Sequence, residues 1–193
     1  KNSLSDPRMG VFERGKICPT DGLSYVHSPG YFGHIDLACP LYYLHQMSTI
    51  LKVLTCHCLK CSKLLINKRI HSHVSEYTSD QRMKYVVTEC KEIKLCGQET
   101  DDGCGFINPK RFTKDENNEI HCLWSNGTST IINPETVLEV FKKITDEDVY
   151  FFGMHPVWAR PEFLICQSFL IPPPVMRPCV KHDAQQRSED DLT

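Results

Sequence analysis

The stretch Cys56-His57-Cys58-Leu59-Lys60-Cys61 decides how the chain is interpreted, because two of its cysteines, Cys58 and Cys61, are separated by two residues. Zinc takes four tetrahedral ligands, and thiolate ligands usually come in such pairs, each on a tight turn. Cys96 and Cys104 are the favoured second pair, since each stands next to glycine, which lets backbone N–H groups approach a thiolate closely. Cys90 and Cys122 compete for this role, but Cys90 falls on the apolar face of a predicted helix and Cys122 in a predicted strand.

The 11 cysteines of the 193-residue chain allow three interpretations. They can be metal ligands, they can form disulfides in a secreted protein, or they can be buried as small apolar side chains. Their odd number, their concentration between residues 56 and 104, and the absence of an apolar signal segment behind Lys1–Arg8 favour metal ligands with free thiols over disulfides. Four cysteines are expected to be buried apolar side chains: Cys39, Cys90, Cys166 and Cys179.

The composition is that of an ordinary globular protein, with 40% hydrophobic and 24% charged residues. No apolar run approaches the roughly 20 residues that span a bilayer, so no membrane partner is expected. The net charge of −2 lacks the basic excess of a self-sufficient nucleic-acid binder. Any contact with DNA or RNA is therefore expected through a local patch or within a larger assembly.

Periodicity and turn residues predict an α+β fold with helices, short antiparallel strands and irregular connections. Residues 1–39 are rich in glycine and predict loops with short extended pieces. A second predicted helix covers Ser79–Cys90 and is capped by Ser79 or Asp80. A first predicted helix opens at Pro40 and places these residues on or beside one apolar face: Leu41, Leu44, Met47, Ser48, Ile50, Leu51 and Leu54.

Residues 120–132 predict a β-hairpin. Apolar residues alternate from Ile120 to Trp124, Asn126-Gly127 predicts a type I′ turn, and Thr128–Ile132 returns. A helix is predicted to follow from Asn133-Pro134, with asparagine as the cap and proline at the first helical position.

The last third of the chain combines one more helix with extended segments. Thr145-Asp146-Glu147-Asp148 predicts a short helix that Gly153 ends. The prolines of Trp158–Arg177 predict an extended chain without helix. Residues 181–193 predict a polar, mobile tail.

No catalytic motif stands out in the sequence. The nine histidines are scattered, and no H-x3-H, G-x-S-x-G, Walker loop or Rossmann fingerprint occurs. Asp101-Asp102 and Asp190-Asp191 are interpreted as solvated turns.

Several segments, taken in order, resemble a known family. Asp6-Pro7-Arg8-Met9-Gly10 is similar to D-P-R-x-G, and Pro29–Ala38 to P-G-H-F-G-H-I-x-L-A. The other matching segments are Cys58–Leu65, Cys90–Cys96, Gly103–Gly105, Arg160–Ile165, Pro172–Pro178 and Glu189–Thr193. Together they resemble the N-terminal clamp region of the largest subunit of multi-subunit RNA polymerases of the eukaryotic and archaeal kind.

This resemblance implies an irregular, zinc-stabilised clamp domain over residues 1–180, comprising clamp core and head, with a zinc-knuckle subregion at 56–112. Residues 181–193 would lead toward the rest of the subunit. The resemblance implies one structural zinc ion, because four thiolates leave no open position for chemistry. Its ligands would be Cys58, Cys61, Cys96 and Cys104, since Cys96 rather than Cys90 matches the family's ligand.

The sequence departs from the family at an earlier zinc site of the pattern C-x2-C-x6-C-x2-H. Those positions hold Cys18, Asp21, Ser28 and Tyr31, so one usual ligand remains. We expect this site to be lost and its loop to be held by hydrogen bonds and packing. A site rebuilt with Cys18, Asp21 and one of the histidines nearby, His27 or His34, is the alternative. Such loss points to a diverged polymerase, for example that of a large DNA virus.

The resemblance implies a non-catalytic part of a nucleotidyltransferase that helps close the cleft over DNA and the RNA–DNA hybrid. Its partners would be the other polymerase subunits, inside the nucleus or, for a virus, in host cytoplasm or virion. Magnesium would be bound elsewhere in the parent subunit, because no D-F-D-G-D-like sequence occurs here. Lys110, Arg111 and Lys114 are the candidates for contacts with DNA phosphates, and the alternative for each of them is an ordinary solvated basic turn. The alternatives are a free-standing zinc-dependent interaction module and a disulfide-rich extracellular protein.

Overall fold

The computed structural model describes residues 3–181, 187–188 and 190–191. The chain divides into two units, one made of Lys1–Ala38 with Gln167–Thr193 and the other of Cys39–Cys166. The α-helices are α1 (Met47–Cys56), α2 (Ser79–Cys90), α3 (Pro134–Lys142) and α4 (Asp146–Phe152). The strands are β1 (Gly33–Tyr42), β2 (Arg111–Lys114), β3 (Ile120–Leu123), β4 (Ser129–Ile132), β5 (Ile165–Ile171), β6 (Val180–Lys181) and β7 (Arg187–Ser188). The predicted α+β class is therefore confirmed.

The helices of the larger unit have well-formed ends. Helix α2 occupies the predicted residues, but Thr78 caps it in a reciprocal capping box with Gln81. Helix α3 has proline at its first position, as predicted. In helix α4 the Thr145 hydroxyl accepts from the Asp148 N–H, and Gly153 ends the helix with a left-handed φ of 96°.

A three-stranded antiparallel sheet in the order β2-β3-β4 stands in the same unit. Its buried face carries Phe112 on β2, Ile120 and Cys122 on β3, and Ile132 on β4. These residues alternate with outward-facing ones, as the two-residue period of a strand requires. This face joins one core with the buried residues of the helices, among them Ile50, Val53, Val86, Val137, Phe141 and Phe152.

The smaller unit is held by hydrogen bonds at its chain ends. The buried Arg177 donates from Nε to the Pro172 carbonyl oxygen at 3.0 Å and from Nη2 to the Leu4 carbonyl oxygen. Strands β6 and β7 form a short antiparallel pair. Residues 182–186, 189 and 192–193 of the predicted mobile tail lie outside the described residues.

The helix predicted from Pro40 is wrong in its first turns. Residues up to Tyr42 belong to β1, which pairs with β5, and α1 begins only at Met47. Leu41 and Leu44 are exposed, while Ile50, Val53 and Leu54 are buried. The leucines are spaced as in a helix even where the chain forms a strand and a 3-10 turn. Pairing with another strand, rather than this spacing, determined the backbone conformation there.

Three smaller predictions are corrected by the structure. The turn at Asn126-Gly127 is not type I′, because only Gly127 of these two residues has a positive φ. The Gly127 N–H donates to the Trp124 carbonyl oxygen, which indicates a type I turn that ends on a left-handed glycine. Within Trp158–Arg177, two short 3-10 helices flank β5, because proline fits a first helical position. Cys39 is exposed rather than buried, and Cys179 is only partly buried.

Candidate metal centre

The structure brings Cys58, Cys61, Cys96 and Cys104 together. Their sulfur atoms all lie within 4.8 Å of one another. The Sγ atoms of Cys58 and Cys104 are 3.6 Å apart, and those of Cys61 and Cys96 are 3.5 Å apart. Four thiolates at 2.3 Å from one tetrahedral zinc ion would be about 3.8 Å apart. The four cysteines therefore lie close enough together to share one metal ion.

The first cysteine pair lies on a tight loop that follows α1. A bridge between His57 and Leu64 closes the loop, and the Cys58 N–H donates to the Lys63 carbonyl oxygen at 2.9 Å. The Ser62 N–H returns to the Cys58 carbonyl oxygen, and Ser62 adopts a left-handed φ of 62°. This turn directs the Lys60 N–H at the Cys58 sulfur, with 3.4 Å between the nitrogen and Sγ.

The second pair lies on a longer loop with the same closure. A bridge between Leu95 and Ile107 closes it, and the Cys96 N–H donates to the Phe106 carbonyl oxygen at 2.9 Å. Gly105 takes the left-handed position, with a φ of 70°. A Cβ atom built on Gly103 would lie 2.1 Å from the Gly97 Cα, so this loop folds tightly only with glycine at 103.

Asn108, which the sequence analysis did not single out, joins the two loops. Its side chain is buried, its Oδ1 accepts from the Leu59 N–H at 3.1 Å, and its own N–H donates to the Lys94 carbonyl oxygen at 2.7 Å. A surface ion pair between Lys63 and Asp102, at 2.6 Å, adds a second link. A buried asparagine near clustered cysteines has no sequence signature, because its role depends on which loop it faces.

The thiols of the centre titrate differently. Burial raises the pKa of Cys58, and the backbone N–H groups of Cys61 and Lys60 offset part of this effect. Burial likewise raises the pKa of Cys96, to about 12. At Cys104, burial raises the pKa, but the Phe106 N–H and the neighbouring thiols outweigh it, so that the pKa is about 7. Metal binding must therefore displace protons from the buried thiols, which makes it dependent on pH.

The positions of the earlier family site meet at Asp21. Its Oδ2 accepts from the Ser28 hydroxyl at 2.8 Å and from the Tyr31 hydroxyl at 3.1 Å, and its Oδ1 accepts from the Leu23 N–H. The pKa of Asp21 is lowered, first by the Leu23 N–H, against burial, and then by the two hydroxyls and the Cys18 thiol. A carboxylate thus occupies the centre of the cluster as an acceptor for its neighbours.

The loop around Cys18 has the backbone of the Cys58 loop. A bridge between Ile17 and Ser24 closes it, the Cys18 N–H donates to the Leu23 carbonyl oxygen, and the Gly22 N–H returns to Cys18. Gly22 stands at the left-handed position, with a φ of 69°. Among the described residues, no group of three metal-ligating side chains within 4.8 Å includes His27 or His34.

The three basic residues expected to meet DNA are all exposed. Arg111 and Lys114 stand at the two ends of β2, and the period of the strand puts them on opposite faces of the sheet. Lys114 Nζ contacts Asn118 Oδ1 at 3.4 Å. Lys110 precedes the strand, and its N–H bonds to the Leu123 carbonyl oxygen at 2.7 Å.

Fold and site together define an α+β protein whose four clustered cysteines can hold a metal ion. A family model described as RNA polymerase Rpb1, domain 1, matches residues 1–193, which is the whole chain. The chain belongs to this family and is part of the largest subunit of a DNA-directed RNA polymerase, a nucleotidyltransferase that assembles from several subunits and acts on nucleic acids. No helix within the described residues is long and apolar enough to cross a membrane.

Proposed function

We propose that residues 1–180 form a non-catalytic wall of the polymerase cleft, the clamp, which closes over DNA and the RNA–DNA hybrid. The family match over the whole chain carries this proposal. The four-cysteine centre supports it, since an ion with four thiolate ligands has no open coordination position and holds loops in place rather than activating water. The chain alone would then synthesise no RNA, and magnesium would act elsewhere in the subunit.

One structural zinc ion is proposed for the centre, on Cys58, Cys61, Cys96 and Cys104. The earlier site, at Cys18, Asp21, Ser28 and Tyr31, is proposed to bind no zinc. Support comes from the sulfur distances at the first set and from the hydrogen bonds that use both Asp21 oxygens at the second. Loss of a family site fits a diverged polymerase, nuclear or, for a large DNA virus, in host cytoplasm or virion.

The DNA contact is proposed to run through Lys110, Arg111 and Lys114, as contacts to phosphates that carry no sequence preference. Their exposure on and beside β2 supports this role. Each phosphate contact contributes about 0.9 to the slope of log affinity against log salt concentration on duplex DNA. Loss of three contacts would lower that slope by between two and three.

The test compares two triple alanine variants in the assembled polymerase. One replaces Lys110, Arg111 and Lys114; the control replaces Lys84, Lys142 and Lys143, which are also exposed. We expect the slope of log affinity against log salt concentration to be lower by between two and three in the first variant and unchanged in the control, with the same zinc content in both. Equal salt dependence in both variants would contradict the proposed contact. The family match over the whole chain argues against the alternative of a free-standing zinc module.

A further inference from the structure

A second group of side chains that could bind a metal lies on the outward face of the three-stranded sheet and shares no residue with the four cysteines. Asp115, Glu119 and His121 each offer one ligand atom, and these atoms all lie within 4.8 Å of one another. His121 Nε2 is 3.3 Å from Asp115 Oδ2. The group is partly exposed, with 28% and 32% of the His121 and Asp115 side chains open to solvent.

The backbone brings the three side chains together. Asp115 and Glu119 close the β2–β3 turn, with the Asp115 N–H bonded to the Glu119 carbonyl oxygen at 3.1 Å and Asn118 at a left-handed φ of 62°. His121 stands two residues after Glu119 and therefore on the same face. It pairs with Thr113, two residues before Asp115. The register thus fixes two carboxylates and one imidazole on one small area.

The orientation of His121 suits a ligand. Its Nδ1 lies 3.4 Å from the Ser129 hydroxyl on β4, which leaves Nε2 directed at the Asp115 carboxylate. Metal-ligating histidines usually have their second nitrogen held in this way by a neighbouring polar group. Ser129 comes from a different strand, so this contact does not follow from the turn itself.

The charges of the group favour a cation. Like charges placed opposite each other on antiparallel strands are destabilising, and Asp115 and Glu119 close the turn as such a pair. The Glu119 N–H donates to Asp115 Oδ1 at 2.8 Å, and the 3.3 Å contact with His121 involves only one of the two carboxylates. A divalent ion between the three groups would offset both carboxylates.

We propose that Asp115, Glu119 and His121 form a second metal site, which takes a divalent cation that prefers nitrogen and oxygen ligands. Ligand atoms at about 2.1 Å from such an ion are roughly 3–4 Å apart, so a small rotation of the exposed Glu119 carboxyl completes the set. Three protein ligands leave positions for water or for an oxygen of another molecule. The chemistry differs from the four-thiolate centre, which prefers softer ions.

The test is a titration of the zinc-loaded 193-residue chain with Mn²⁺, in which the free ion is followed by its electron paramagnetic resonance signal. We expect one Mn²⁺ bound per chain, and binding weakened more than about tenfold by Glu119→Gln or His121→Ala. Ser129→Ala is expected to weaken binding by about tenfold, because the imidazole ring of His121 would lose its contact with the Ser129 hydroxyl. Glu116→Gln removes an exposed charge from the same turn and is expected to leave binding unchanged.

Absence of one bound Mn²⁺ per chain up to roughly millimolar concentration, the weak limit of protein sites for divalent ions, would overturn the proposal. Equal binding by wild type and Glu119→Gln would overturn it as well, and Glu119 is exposed, so this variant does not depend on a core residue. The zinc content of the same samples reports separately on the four cysteines, since the two groups share no residue.

Discussion

Asp21 shows how one residue can change what a loop does. The Cys18 loop has the bridge, the crossed backbone hydrogen bonds and the left-handed residue of the Cys58 loop, yet its second ligand position is a carboxylate. That carboxylate accepts from Leu23, Ser28 and Tyr31. Ser28 and Tyr31, at positions where the family's pattern has metal ligands, thus donate hydrogen bonds to a negatively charged acceptor. Hydrogen bonds to a charged group are strong, so this carboxylate can hold the loop without a metal ion.

The first prediction concerns Asp21→Asn. An asparagine oxygen can still accept from the Leu23 N–H, but its NH₂ group cannot accept from the Ser28 and Tyr31 hydroxyls. We expect amide hydrogen exchange to become several-fold faster at His27 and Ser28, whose N–H groups bond within this loop. Asp101→Asn, at an exposed turn, is the control. Unchanged exchange in Asp21→Asn would refute the role of the carboxylate.

Acid should loosen the same loop. The pKa of Asp21 is lower in the folded chain than the ordinary carboxyl value of about 3.9, first because the Leu23 N–H bonds to it. The stabilisation is therefore complete above that ordinary value and disappears as the pH falls through the lower folded value. The chemical shift of the Leu23 N–H, followed by NMR, should change below about pH 4 in wild type and not in Asp21→Asn.

Individual residues differ in how far the sequence revealed them. Cys58 and Cys61 have a recognisable spacing, and the glycines beside Cys96 and Cys104 pointed to the other two sulfurs. Asn108 gave no signal, because it acts through one bond across loops that are distant in sequence. The sequence did not point to His121 either, since the residues next to it are determined by the register of β2 with β3.

At the scale of elements, the loop that holds Cys96 and Cys104 depends on glycine for two separate reasons. Gly103 has no room for a Cβ, because Gly97 Cα would be 2.1 Å away. Gly105 has open space around it and needs only its left-handed φ of 70°. Crowding and backbone conformation can therefore be tested separately within three residues.

The second prediction compares Gly103→Ala with Gly105→Ala. The left-handed conformation costs a non-glycine residue about 1–2 kcal/mol, so Gly105→Ala should weaken zinc binding by roughly a factor of ten. In Gly103→Ala the new Cβ must displace the backbone of the loop. This variant should therefore weaken zinc binding more strongly, by about 100-fold relative to wild type. Competition with a chelator measures both affinities. Weaker binding by Gly105→Ala than by Gly103→Ala would contradict the packing described for this loop.

Helix α2 shows where sequence patterns succeed and where they stop. Its span, Ser79–Cys90, was predicted from its apolar spacing, but the cap was placed one or two residues late, since Ser79, Asp80 and Thr78 are all residues that cap helices. The helix predicted from Pro40 failed for a different reason. Leucine spacing does not report the pairing of β1 with β5, which is a contact between distant parts of the chain.

The third prediction uses this difference at the start of α2. Thr78→Ala removes the side-chain half of the capping box and should lower the free energy of unfolding by about 1 kcal/mol. Ser79→Ala, inside the helix and exposed, should change it by less than about 0.5 kcal/mol. Urea unfolding of the two variants checks this. The reverse order would move the cap to Ser79.

At the scale of the whole molecule, membership of the family places the chain in a polymerase subunit, and the four clustered cysteines bring two of its loops together. The core of the larger unit includes Cys58 and Cys96 together with residues of the helices and of the three-stranded sheet. A metal ion at this centre would therefore be bound in part by thiols that belong to that core. We expect removal of zinc to destabilise this unit and not merely its surface loops.

The most direct measurement is the zinc content of the purified chain after dialysis against a weak chelator, which removes ions held by exposed nitrogen and oxygen ligands. We expect one zinc ion per chain, lost in Cys58→Ser and retained in Cys122→Ser, which alters a buried cysteine outside the centre. No retained zinc would contradict the four-cysteine centre. Two retained ions, one of them lost in Cys18→Ser, would contradict the claim that Asp21 has replaced a metal.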